Sequence, residues 1–99
     1  MVRNKDDILD AVKREGQALR RLGVRRLALF GSAVRGDLRA ESDLDFLVEL
    51  HPKTFDSYMD VKEFLESHFS HPIDLVLRSA LKPELRDGIL REAVDARLD

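Results

Sequence analysis

The sequence contains no cysteine. That excludes a disulfide framework and any thiolate site for a metal or a redox reaction. No apolar run approaches the roughly 20 residues that cross a bilayer as a helix. The leading residues, Met1-Val2-Arg3-Asn4-Lys5-Asp6-Asp7, lack the apolar core of a signal peptide, so a cytoplasmic location is expected. Internal repeats, low-complexity tracts and linkers are also missing. The three histidines, His51, His68 and His71, share no metal-ligand spacing and read as surface or packing residues.

What is present fits a single domain over residues 1–99. Hydrophobic residues make up 43% and charged residues 36%, which separates the chain from disordered sequences. A domain of 99 residues buries roughly two thirds of the surface its unfolded chain exposes. That supports one core but no deep, enclosed active site, and leaves room for a second chain to complete or cover the site. The net charge of −2 hides an asymmetry. Residues 1–39 carry ten Lys/Arg against five Asp/Glu, and residues 40–99 carry seven against fourteen. Acids such as Asp6, Asp7, Asp10 and Glu15 are mixed among the basic residues. The basic half therefore reads as the solvated side of an amphipathic helix, and direct nucleic-acid binding is not expected.

Apolar periodicity orders the chain. Residues 4–22 read as one helix capped by Asn4, with Asp6 and Asp7 in the first turn. Its stripe is Ile8, Val12, Leu19 and Leu22, and Gly23 suits the C-terminal cap. Gly16 counts against this helix. Val24 to Phe30 reads as a buried strand ending at Gly31-Ser32. Ser32 is the expected N-cap of a short helix over residues 33–35, broken by Gly36-Asp37. Leu44 to Leu50 is a second strand with Asp43 and Asp45 at its head. Thr54 to Phe69 reads as a helix with a stripe of Phe55, Tyr58, Met59, Leu65 and Phe69, and with Val61 and Phe64 at its margin. Ile73 to Leu77 is a third strand, interrupted by Asp74. Pro83 opens a last helix whose stripe is Leu85, Ile89 and Ala93, extended by Leu90 or Val94. The expected fold is α/β, a small mixed β-sheet flanked by helices. The short first link makes the first two strands antiparallel.

Three acids inside apolar strands mark the chemistry. Alternation puts Asp43 and Asp45 on one face. At about 6–7 Å their charges repel by roughly 2–3 kcal/mol for an effective dielectric near 20. Asp74 adds to the cluster if the third strand lies beside the second. Either Arg35 or Arg39 neutralises these acids, or a cation does, and oxygen-only ligands suit Mg²⁺ or Mn²⁺. Gly31 lets backbone approach a ligand closely, and Ser32 adds a hydroxyl at a helix start. Arg35 is placed either to contact a phosphate or to pair with an acid and hold the loop.

Gly31-Ser32-Ala33-Val34-Arg35-Gly36 followed by Ser42-Asp43-Leu44-Asp45-Phe46-Leu47-Val48 resembles the core motif of the polymerase-β-like nucleotidyltransferases, and within them the minimal nucleotidyltransferase (MNT) domains. The resemblance continues through Ile73-Asp74-Leu75-Val76, Leu81-Lys82-Pro83-Glu84-Leu85 and Ile89-Leu90-Arg91-Glu92-Ala93. It implies the nucleotidyltransferase fold and transfer of a nucleotidyl group to a hydroxyl with release of pyrophosphate. It also implies two Mg²⁺ ions held by Asp43, Asp45 and Asp74, and a phosphate-binding turn at Gly31 and Ser32. Free-standing MNT domains resemble the antitoxin half of toxin–antitoxin pairs. That likeness implies AMP transfer from ATP to a tyrosine of a HEPN-domain ribonuclease toxin, in a hetero-oligomer. Two other readings stand beside it: an antitoxin that neutralises by binding alone, and a nucleotidyltransferase acting on RNA or a small-molecule hydroxyl. The lone Tyr58, on an apolar stripe, reads as core rather than as an acceptor of self-modification.

Overall fold

A computed structural model describes Val2 and residues 4–98 of the chain. The first helical stretch is two helices, α1 (Lys5–Arg14) and α2 (Gly16–Arg21), because Glu15 leaves the helical region at φ −101°, ψ 15°. Asn4 Oδ1 caps α1 by accepting from the Asp7 N–H at 3.0 Å. The break matters because Gly16 is where the C-terminal segment crosses. A Cβ there would meet the Leu98 carbonyl carbon at 2.7 Å. The glycine is thus required for close passage of backbone, which the helical pattern alone does not convey.

Strand β1 (Val24–Phe30) leads through the short helix α3 (Ser32–Arg35) and a loop into β2 (Leu44–Leu50). Helix α4 (Phe55–His68) then crosses to β3 (Ile73–Leu77). A 3₁₀ turn, Arg78–Ala80, precedes α5 (Pro83–Glu92), and a two-residue strand β4 (Val94–Asp95) follows it. The strands form one mixed sheet in the order β3-β2-β1-β4. β1 runs antiparallel to β2 and to β4, and β2 runs parallel to β3. The parallel pair needs the α4 crossover, whereas the β1–β2 link does not.

The core lies between α1, α2 and α4 and one face of the sheet. Ile8, Val12 and Leu19 pack there with Val24, Leu27, Leu29, Leu44, Phe46, Val48, Val61, Leu65 and Leu75. Each large side chain so buried contributes about 1.5–3 kcal/mol. Two expected stripes are corrected. On α4 the fully buried residues are Val61 and Leu65, whereas Phe55 is 76% exposed. Within the same first turn Tyr58 packs against the core and donates its hydroxyl to the Leu75 carbonyl, while Phe55 stays at the surface. On α5 no residue is buried, and Leu85 is exposed. Ala93 and Val94 leave that helix because the chain turns there to pair with β1. Among the described residues no helix is long and apolar enough to cross a membrane.

Gly→Ala in a helix ordinarily stabilises by about 0.5–1 kcal/mol. At Gly16 the sign should reverse. Gly16→Ala is expected to destabilise by about 1–3 kcal/mol, the usual cost of overpacking, as measured by urea unfolding. A stabilised variant would contradict the close passage of Leu98.

Candidate active site

Strand register assembles the site. The antiparallel ladder pairs Phe30 with Asp45, and the parallel ladder pairs Asp45 with Asp74. By alternation both acids stand on the face opposite the Phe46 and Leu75 core side chains. Asp43 lies one residue before β2 rather than in it, and both Asp43 and Asp74 are exposed. Only Asp45 is half-buried, so the expected cluster of buried acids reduces to one. Its charge is still felt by the others. Burial, the charge of Asp74, a side-chain hydrogen bond with Asp74 and the charge of Asp43 push the Asp45 carboxyl up to about 6, against the lowering charge of Arg35.

The loop that carries Asp43 is held by the residues just before β3. Buried His71 donates Nδ1–H to the Ser42 carbonyl at 2.8 Å, and the Leu44 N–H donates to the Pro72 carbonyl at 2.9 Å. A carbonyl only accepts, so the Nδ1 proton is assigned by chemistry. His71 is therefore a packing residue, as the sequence implied, but one that sets the position of an acid. His51 and His68 are exposed.

Gly31 is placed at φ 78°, ψ −150°, a region open to glycine. A Cβ there would also fall on Asp45 Oδ2. Both facts require glycine, and the second brings the turn's backbone directly against the acid. Gly31, not Ser32, is the N-cap of α3, and Ser32 is its first residue. The expected side-chain capping bond is therefore not made, because the N-cap residue is a glycine. Arg35 does not pair with Asp43, Asp45 or Asp74. Its Nη1 donates to Glu92 Oε1 at 2.8 Å, and its Nε lies 3.9 Å from Asp37. Glu92 also accepts the Gly31 N–H at 2.7 Å. Sequence reasoning missed this residue because it looks like one more exposed acid on a polar helix. The signal that would have found it is the β4 pairing.

Among the described residues, no group of three or more His, Asp or Glu side chains is gathered to hold a metal ion. The donors nevertheless fit Mg²⁺ chemically. All are carboxylate oxygens, and Asp45 is costly to ionise beside Asp74 without a cation. Mg²⁺ usually takes only one or two carboxylates and completes its shell with waters and substrate phosphates.

The raised Asp45 carboxyl binds its proton more tightly in the fold than in the unfolded chain. Its ionisation therefore lowers stability as pH rises from about 4 through 6. In metal-free buffer, Asp45→Asn should stabilise the fold at pH 7.5 by an amount on the order of 1 kcal/mol, after allowance for solvent screening at this half-open position. The gain should vanish below pH 4. Thermal unfolding across that range checks it, and a pH-independent gain would refute the electrostatic origin.

Residues 6–96 match the family model for a nucleotidyltransferase domain. Protein adenylyltransferase MntA of Thermococcus cleftensis is 37% identical over 90 residues, which covers 90% of this chain and 89% of the relative. A solved structure described as a minimal nucleotidyltransferase superposes with a TM-score of 0.71 at 34% identity, covering 87% of this chain and 93% of that one. A toxin–antitoxin crystal structure with AMP-PNP shares the fold at 20% identity and a TM-score of 0.67, covering 84% of this chain and 70% of that one. The chain belongs to the nucleotidyltransferase domain family and is a nucleotidyltransferase.

Proposed function

We propose that this chain is a protein adenylyltransferase acting as an antitoxin, transferring AMP from ATP to a tyrosine hydroxyl of a cognate HEPN-domain ribonuclease toxin. The observation that carries the reading is the contact of the Gly31 turn with Asp45, which is itself paired in register with Asp74. It puts a phosphate-type turn and two acids on one patch. A relative of similar length, named as a protein adenylyltransferase, supports the choice of AMP and of a protein acceptor. The tyrosine and the HEPN toxin rest on the likeness to MNT antitoxins.

In this reading Asp43, Asp45 and Asp74 hold two Mg²⁺ ions, or Mn²⁺, which when bound offset charge on the attacking and leaving oxygens of an in-line displacement. The tyrosine oxygen bonds to the α-phosphorus of ATP. The bond from that phosphorus to the bridging oxygen breaks, and pyrophosphate leaves with its electron pair. Asp74, exposed at the sheet edge, accepts the tyrosine proton. Ser32 and the Gly31 turn receive the phosphates. Such transfer needs positioning and charge neutralisation more than covalent help from the protein.

Incubation with α-labelled ATP, Mg²⁺ and the toxin should label the toxin. Asp43→Ala/Asp45→Ala should reduce that label by about 10²-fold or more, the scale of removing a main electrostatic stabiliser. A stable complex with no label under any condition would instead mean neutralisation by binding alone. Label on RNA or on an antibiotic without a partner protein would redirect the acceptor.

A further inference from the structure

The β4–β1 ladder pairs Leu29 with Val94 and Ala28 with Asp95, and the Ala96 N–H donates to the Leu27 carbonyl at 2.8 Å. Extended two residues the other way, the same register sets Glu92 opposite Gly31. The side chain closes that gap. One oxygen, Glu92 Oε1, accepts both the Gly31 N–H at 2.7 Å and Arg35 Nη1 at 2.8 Å. The acid is the fixed end of this arrangement. Its side chain is 26% exposed against 56% for Arg35, and its backbone is tied on both sides, by α5 before it and β4 after it.

Glycine has more conformational freedom to lose than any other residue. At Gly31 that freedom sits next to Asp45, where a shift of the turn would also shift the acid's surroundings. A carboxylate on the glycine N–H selects one conformation of the turn. The same carboxylate anchors the guanidinium whose charge acts on Asp45. Charge-assisted bonds of this kind are short and about twice as strong as neutral ones.

We propose that Glu92 is a positioning residue for nucleotidyl transfer, holding the Gly31–Arg35 turn in the conformation that receives the triphosphate. It touches neither nucleotide nor acceptor. It works through Gly31 and Arg35, and it makes the C-terminal helix and strand part of the site. This inference rests on the adenylyl-transfer reading for its substrate, ATP.

The test compares wild type, Glu92→Gln, Glu92→Ala, Arg35→Ala and Arg35→Ala/Glu92→Ala, at a temperature where circular dichroism shows each folded. The readouts are KM for ATP and kcat with Mg²⁺ and the toxin as acceptor, and hydrogen exchange at the Gly31 amide by NMR. Glu92→Ala should raise KM by about tenfold or more, the range seen when outer support of a site is removed, with a smaller change in kcat and faster exchange at Gly31. Glu92→Gln keeps an acceptor oxygen but loses the charge facing Arg35, and should fall in between. The losses in the double variant should be less than additive, since the two residues act as one unit. If Glu92→Ala does not fold, Glu92→Gln alone decides by the same criterion. Kinetic constants within twofold of wild type would overturn the proposal. So would tighter ATP binding by the alanine variant, which would make Glu92 a competitor for the turn. A wild type that transfers nothing overturns the adenylyl-transfer reading and this inference with it, whereas an active wild type beside an unaffected variant overturns this inference alone.

Discussion

The backbone of Gly31 passes so close to the Asp45 carboxylate that no side chain can stand between them. That contact joins the end of β1 to the start of β2 across their antiparallel ladder, where Phe30 faces Asp45. It also dictates the residue type at the turn twice over, through the positive φ and through the missing Cβ. The rest of the site hangs from this junction. β3 enters parallel to β2 and lays Asp74 beside Asp45, while His71 and Pro72 hold the loop carrying Asp43.

Such an arrangement works against folding. A half-buried carboxyl with two acidic neighbours disfavours its own charge, and the fold tolerates this because the helix-covered face of the same strands supplies the core. Leu44, Phe46 and Val48 alternate with Asp45 and Leu47 along β2. One strand thus stabilises the domain with one face and carries the costly Asp45 carboxyl on the other. Local rules fail at such a place for a functional reason.

Much of this was legible beforehand. The bounds of β1, β2 and β3 follow from short apolar runs, and the mixed sheet follows from the length of the links. Gly31, Ser32, Asp43, Asp45 and Asp74 stood out because acids and a Gly-Ser turn interrupt those runs. What escaped was set by partners distant in sequence. Gly16 looks like a flaw in a helix until Leu98 is seen against it. Val94 continues a helical stripe by spacing, yet pairs with Leu29. Phe55 fits a stripe by period, but only Tyr58 of that first turn packs on the core and Phe55 stays exposed. Glu92 shares the fate of Val94, because its role exists only once β4 has found β1.

Among the described residues β3 is the last strand of the sheet on its side, with Asp74 exposed near its start. Open strand edges invite pairing with other chains, and a charge on the edge discourages it. The charge of Asp74 stands on such an edge. In the proposed reading, the carboxylate that takes the acceptor's proton is thus also the charge that keeps this edge from pairing with another chain.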